Sequence, residues 1–64
     1  MTMLQATALL DALTRLARHY WYAARAYEAV GMYKAHDHAY NEYLSCTMRA
    51  DNLRTMLVFS IMDR

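Results

Sequence analysis

The sequence predicts an all-α fold: a hairpin of two long antiparallel helices, which pairs with a second copy to form a homodimeric four-helix bundle. The 64 residues contain no proline and one glycine, while alanine, leucine and methionine are frequent, a composition that favours helices. Apolar residues recur at alternating spacings of three and four, as they do along a packed helix. This stripe changes phase at Gly31, where we expect one helix to end and another to follow.

Helix one is predicted over residues 3–30. Thr2 and Gln5 have the spacing of a capping box, in which each side chain bonds the backbone of the other residue. The apolar stripe that follows consists of Ala6, Leu10, Leu13, Ala17, Tyr20, Ala24, Tyr27 and Gly31, flanked by Leu9, Leu16, Ala23 and Val30. Because small residues recur every seven positions at Ala17, Ala24 and Gly31, two helices can approach closely along this stripe.

The turn is predicted near residues 31–36 and helix two over about residues 37–62, with its start between Met32 and Asp37, so that residues 1–64 form a single hairpin domain. The second stripe is Met32, His36, Ala39, Tyr43, Cys46, Ala50, Leu53 and Leu57. Asp37 can serve as the N-cap or as a first-turn carboxylate at the positive end of helix two. One continuous helix, which would have to accommodate the phase slip, is the alternative.

Oligomerisation is expected because so short a chain has a marginal core of its own. Cys46 is the only cysteine, so no internal disulfide can form, and no cysteine or histidine cluster has zinc-site spacing. A further apolar stripe on helix two would be exposed in a lone hairpin, and we expect an oligomer to cover it; it comprises Tyr33, Tyr40, Leu44, Val58 and Met62, with Met48 nearby. The predicted oligomer core is Leu10, Leu13, Ala17, Tyr20, Ala24, Tyr27, Ala39, Tyr43, Cys46, Ala50, Leu53 and Leu57.

The same residues argue against an enzyme, and we expect no catalytic residue, no cofactor and no metal. His36 and His38 point in different directions on a helix, so they cannot share an ion there. Cys46 lies in an apolar stripe and is expected to be a buried small hydrophobe. No stretch is apolar over the eighteen or so residues of a membrane span, and no signal-peptide pattern occurs. We therefore expect a reduced, cytoplasmic location and no membrane partner.

The candidate binding surface is a row on helix one beside the stripe. At 100° per residue, Thr14, Arg18, Trp21 and Arg25 align, and Arg15 and Tyr22 lie next to them. Arginines neutralise phosphates and aromatic rings stack on exposed bases, so this row is typical of an RNA-binding surface. The alternative is a solvated face, with an Asp11–Arg15 pair and with Trp21 at an oligomer contact.

A block in helix two resembles a known family. His36-Asp37-His38-Ala39, Tyr43, Ser45-Cys46 and Arg49, together with Met1-Thr2, Thr7-Ala8-Leu9 and Ala12, resemble the Rop (repressor of primer) family of small plasmid-encoded hairpins. The resemblance implies an antiparallel dimer of hairpins that binds a loop–loop complex of two plasmid RNAs and so lowers plasmid copy number. The family's RNA-binding row corresponds to Leu10, Thr14, Arg18 and Arg25. Thr14 stands where the family has its phenylalanine, and Trp21, two turns further along the same row, can substitute for it.

Two classes of function follow. The first is a small dimeric RNA-binding regulator, with Thr14, Arg15, Arg18, Trp21, Tyr22 and Arg25 as the RNA-binding residues. The second is a small interaction protein, of a phage or mobile-element type, that binds a host protein through the surface around Tyr33, Tyr40, Leu44 and Met48. A third possibility is a variant with an altered hairpin register and no separate function.

Overall fold

The computed structural model describes residues 2–62, apart from the side chain of Met62, which leaves that member of the helix-two stripe outside the described part. Helix α1 spans Met3–Ala29 and helix α2 spans Tyr33–Met62. A three-residue turn joins them into a hairpin of 51 × 15 × 14 Å. Within the described residues there is no strand, so the predicted helical hairpin is confirmed.

The capping box at the start of α1 forms as predicted. The Thr2 hydroxyl oxygen accepts a hydrogen bond from the Gln5 backbone N–H at 3.1 Å. The Gln5 side-chain oxygen accepts from the Thr2 N–H at 2.9 Å. Two backbone donors that the helix cannot satisfy internally therefore find partners.

Gly31 ends α1, as the sequence indicates, through a Schellman motif. The Gly31 N–H donates to the Glu28 carbonyl at 3.1 Å, and the Met32 N–H donates to the Tyr27 carbonyl at 2.9 Å. Gly31 has a φ of +76°, in the left-handed region that glycine enters without a steric cost.

Helix α2 begins at Tyr33, within the predicted range between Met32 and Asp37, and the turn is shorter than the predicted 31–36, occupying residues 30–32. The Schellman motif completes the reversal by Met32, whose carbonyl accepts from the His36 N–H at 2.9 Å, so helical bonding starts directly after the turn. Asp37 therefore lies in the second turn of α2 and is not its cap. Its carboxylate lies 3.2 Å from Nδ1 of His36, and Nε2 of His36 lies 3.4 Å from the Glu28 carboxylate on α1.

The seam between the helices is built mainly from small side chains. Its buried residues are Ala6, Ala17 and Ala24 on α1 and Ala39, Cys46, Ala50 and Leu53 on α2. Of the other predicted core positions, Leu10, Leu13, Tyr20, Tyr43 and Leu57 are half-buried and Tyr27 is exposed. Small side chains let the backbones approach closely, but they remove little apolar surface from water.

The hairpin consequently exposes much apolar surface. Its accessible area is 5190 Å², which exceeds by roughly 900 Å² the area expected for a compact monomer of this mass. That excess is close to the roughly 800 Å² that each partner loses in a standard protein interface. Over residues 2–62, neither helix contains a segment that is both long and apolar enough to cross a bilayer.

Candidate nucleic-acid interface

A groove runs along one flank of the seam, and predicted site residues form one of its sides. Thr14, Arg18, Trp21 and Tyr22 of α1 line this groove, which has a volume of about 400 Å³. Three of these residues lie on consecutive turns because they are separated by four and three positions. The structure therefore brings four of the six predicted residues to one groove.

Arg25 lies against this group through the indole of Trp21. Its guanidinium carbon is 4.9 Å from the centroid of the Trp21 ring, within the range of a cation–π contact. Tyr22 packs edge-on to the same indole, with ring centroids 5.3 Å apart. Trp21 thus contacts both Arg25 and Tyr22. We refer to Arg18, Trp21 and Arg25 as the basic row.

Arg15 is separate from the groove. It pairs with Asp11, with Nε and Oδ2 3.1 Å apart, and both side chains are exposed. This pair is the one expected if the surface is simply a solvated helix face, and its formation reduces the net charge that Arg15 can present. Arg18 and Arg25 form no such pair among the residues that the structure describes, so they carry the free positive charge of α1.

Thr14, which stands at the aromatic position of the Rop family, directs its hydroxyl back to its own helix. Its Oγ1 donates to the Leu10 carbonyl at 2.8 Å. The hydroxyl proton is therefore occupied, and the residue contributes a small, partly apolar surface to the groove.

Helix α2 supplies the other side of the groove, a contribution that the sequence analysis missed. Tyr43, Thr47, Ala50 and Arg54 line it. Arg54 is held by Asp51, with Nη1 and Oδ1 2.8 Å apart. The signal was present in the spacing, because Tyr43, Thr47 and Arg54 follow one face of a helix at intervals of four and seven. Tyr43 and Ala50 had been interpreted only as core positions.

The opposite flank of the seam has a different character. A second groove there is lined by Leu9, Leu13, Arg49, Asn52, Leu53 and Met56. Its α1 side is apolar, because Leu9, Leu16 and Val30 fall on this flank at spacings of seven and fourteen residues. All three are exposed in the hairpin. We call Leu9, Leu16 and Val30 the leucine flank. The basic row and the leucine flank therefore lie on opposite sides of the hairpin.

Near the turn, His36 of α2 contacts the carboxylates of Glu28 on α1 and Asp37 on α2, so these contacts join the two helices. The His36 ring lies between the carboxylates of Glu28 and Asp37 and stacks on Tyr40 with ring centroids 5.9 Å apart. Across the described part of the chain, no group of three or more histidine, cysteine or acidic residues has an arrangement that could hold a metal ion. Cys46 is buried and unpaired, and it acts as a small seam residue.

In comparisons with known proteins, no protein-family model, no curated protein and no solved structure matches this chain. The basic row and the leucine flank are therefore the features that bear on its function.

Proposed function

We propose that this protein is a small dimeric RNA-binding regulator, similar to Rop, that stabilises a loop–loop complex of two RNAs and so controls plasmid copy number. The observation that carries the proposal is the basic row, in which Arg25 is stacked on Trp21 and Arg18 lines the adjacent groove. Guanidinium groups contact phosphates, and an exposed aromatic edge can pack on sugar or base. We assign the chain a binding role and no catalytic step.

Dimerisation is proposed to use the leucine flank. The excess exposed area of the hairpin is close to what one partner loses in a standard interface. The leucine flank is continuous with the seam through the half-buried Leu13, so a second hairpin placed there extends an existing apolar core. This arrangement leaves the basic row of each copy in solvent and gives a four-helix bundle.

Charge complementarity supports the same face. Glu42, which is half-buried, and Arg49 lie seven residues apart on one face of α2, and Arg49 lines the groove that Leu9 and Leu13 also line. In an antiparallel pair whose two-fold axis passes midway between these two positions, Glu42 of one copy lies opposite Arg49 of the other, and the contact occurs twice. In this arrangement the leucine flanks of the two copies pack against each other, and the negative Glu42 of each copy faces the positive Arg49 of the other.

The proposal is tested by titrating the protein against a fluorescently labelled RNA kissing complex at two salt concentrations. Four arginines per dimer predict that the logarithm of the association constant falls with the logarithm of salt concentration with a slope of about −3. The double variant Arg18→Ala, Arg25→Ala should bind more weakly and show a shallower slope, with unchanged helicity by circular dichroism.

The control is Lys34→Ala, which removes a positive charge from the exposed surface of α2, outside the basic row and outside the proposed dimer contact. Equal affinity of the Arg18/Arg25 variant and the unchanged protein would refute the site. A loss per removed charge as large in Lys34→Ala as in the Arg18/Arg25 variant would mean that overall charge, and not the basic row, governs binding.

A protein partner is the second candidate function, and one specific observation favours it. Tyr33, Tyr40, Leu44 and Met48 on α2 are all exposed in the hairpin, and the leucine-flank dimer leaves them uncovered. A dimer that ignores the RNA complex would favour this surface and a host protein. For either function we propose a cytoplasmic location, where a buried free Cys46 stays reduced.

A further inference from the structure

We propose that the groove between the helices is a seat for one unpaired RNA nucleotide, completed by Tyr43 and Arg54 of α2. The inference rests on the proposed RNA-binding function and deepens it, because the resemblance and the sequence pattern assign binding to α1 alone. The groove differs from a binding surface on α1 alone, because both helices line it and each contributes at least one aromatic ring and an arginine.

The shape of the groove follows from the sizes of its residues. Ala17 and Ala50, both buried, form its floor. Trp21 of α1 and Tyr43 of α2 are larger and line the groove from opposite sides. A floor of alanines between two aromatic side chains leaves an open groove of about 400 Å³, within the range of about 300–1,000 Å³ that small-molecule sites occupy. Such a groove suits a flat ring, because an aromatic surface is available on either side of its floor.

The charges of the groove select an anionic ligand. Arg18 lines it from α1 and Arg54 from α2. Asp51 orients Arg54 with a 2.8 Å contact that offsets its charge, as Asp11 does for Arg15, so Arg18 supplies the net positive charge of the groove. The Asp51 contact uses a single Nη atom, and Arg54 offers its remaining guanidinium donors to a phosphate. No acidic residue is among those that line the groove. A planar ring flanked by phosphate is the ligand that matches two aromatic side chains and two arginines.

An unpaired nucleotide in an RNA loop has this chemistry, and its base is free to leave the stack. A free nucleoside monophosphate has the same chemistry, so the test includes both. The groove lies on the flank away from the leucine flank, and the proposed dimer therefore leaves it open in each copy.

Trp21 is the only tryptophan of the chain, so its fluorescence reports on the groove directly. The titrants are an RNA kissing complex with an unpaired purine in its loop, the same complex with that purine deleted, adenosine monophosphate and inorganic phosphate. We expect the first RNA to quench Trp21 and the deleted RNA to bind at least about fivefold more weakly with little quenching. Quenching by adenosine monophosphate that competes with RNA would also support the seat and identify free nucleotide as a second ligand.

Two variants test the α2 contribution. Arg54→Gln should weaken RNA binding at least about fivefold, whereas Lys34→Gln, on α2 outside the groove and outside the proposed dimer contact, should leave it unchanged. Tyr43→Leu keeps an apolar side chain but removes the aromatic ring and should lose the quenching; circular dichroism and sedimentation report whether each variant keeps its helicity and oligomeric state.

The outcomes separate this inference from the proposed function. RNA binding that depends on Arg18 and Arg25 but not on Arg54, and that quenches Trp21 equally in the unchanged protein and in Tyr43→Leu, would overturn the seat and leave RNA binding by the basic row intact. Absence of RNA binding by the unchanged protein would overturn the proposed function and the seat with it.

Discussion

Arg25 stacks on the indole of Trp21, one turn earlier on the same helix, with 4.9 Å between the guanidinium carbon and the ring centroid. The contact fixes a long, flexible cation before any ligand arrives. An arginine that is ordered in advance loses less conformational entropy when it binds a phosphate. Trp21 thus contributes to the basic row through the arginine it holds as well as through its own surface.

Trp21→Ala is expected to weaken RNA binding more than the loss of its own surface explains, because Arg25 loses its support. Trp21→Phe should retain part of the affinity, since phenylalanine also accepts a cation, though less strongly than tryptophan. Tyr22→Ala, which removes the neighbouring ring but leaves the stacked pair, is the control. Fluorescence anisotropy with labelled RNA measures all three. Equal affinities for Trp21→Ala and Tyr22→Ala would contradict the supporting role.

Gly31→Ala should destabilise the hairpin by about 1–2 kcal/mol, because an alanine pays a steric cost in the left-handed region. A Cβ at this position meets nothing within 4 Å, so the cost comes from the backbone alone. Gly31→Asn should cost less, because asparagine tolerates this conformation better. Urea unfolding followed by circular dichroism measures both at one protein concentration. An alanine variant as stable as the glycine protein would mean that the turn adopts another conformation.

Ala24→Leu should separate the helices and cost about 1–3 kcal/mol, because Ala24 is 3% exposed and the seam has no space for a larger side chain. Ala26→Leu is the matched control, since Ala26 is exposed on the same helix and leucine is nearly as good a helix former as alanine. The same urea experiment compares them. If both variants were equally stable, the close approach of the two helices at Ala24 would be refuted.

Reversing the charges of the proposed dimer contact should weaken and then restore association. Glu42→Arg alone and Arg49→Glu alone each bring like charges together twice in the dimer, and we expect about tenfold weaker dimerisation for either. The double variant Glu42→Arg, Arg49→Glu should recover most of the loss. Sedimentation equilibrium gives the dissociation constants. Additive losses in the double variant would exclude the antiparallel contact on this face.

The proposed dimer predicts that unfolding depends on protein concentration, because association would stabilise so open a hairpin. A roughly hundredfold increase in chain concentration is expected to raise the Tm by several degrees. Thermal melts followed by circular dichroism test this directly. A Tm that stays constant over that range would show that the hairpin is stable as a monomer despite its exposed apolar surface.

Local signals in the sequence were sufficient for most of the fold. The Thr2–Gln5 spacing predicts the capping box from residues within one turn of each other, and the phase slip of the apolar stripe at Gly31 predicts the end of α1. The start of α2 lies at the early end of its predicted range, while Asp37, which resembles a cap, favours the late end and Met32 carries no side-chain acceptor. The Schellman motif made a cap at Asp37 unnecessary, and only the backbone geometry of the turn reveals this.

The α1 side of the candidate site could be predicted from the sequence, whereas the α2 side could not. One helix face places Thr14, Arg18 and Trp21 together whatever the rest of the chain does. The partners on α2 depend on how the two helices rotate against each other, which the small seam residues determine. Because Tyr43 borders both the seam and the groove, its position in an apolar stripe indicates burial and conceals its exposed side.

The short turn also determines the order in which contacts can form. Next to it, Glu28 and His36 are eight positions apart along the chain, whereas contacts at the open end join residues more than fifty positions apart, since Thr2 and Leu57 line the same pocket there. Closing a small loop costs less entropy than closing a large one. Contacts between the two helices therefore form first next to the turn and then extend towards the open end. Hydrogen-bonded amide protons in the helical turns next to Gly31 should therefore exchange last, and those near Thr2 and Ser60 first. Protection from exchange is expected to fall with distance from the turn along the 51 Å length of the hairpin.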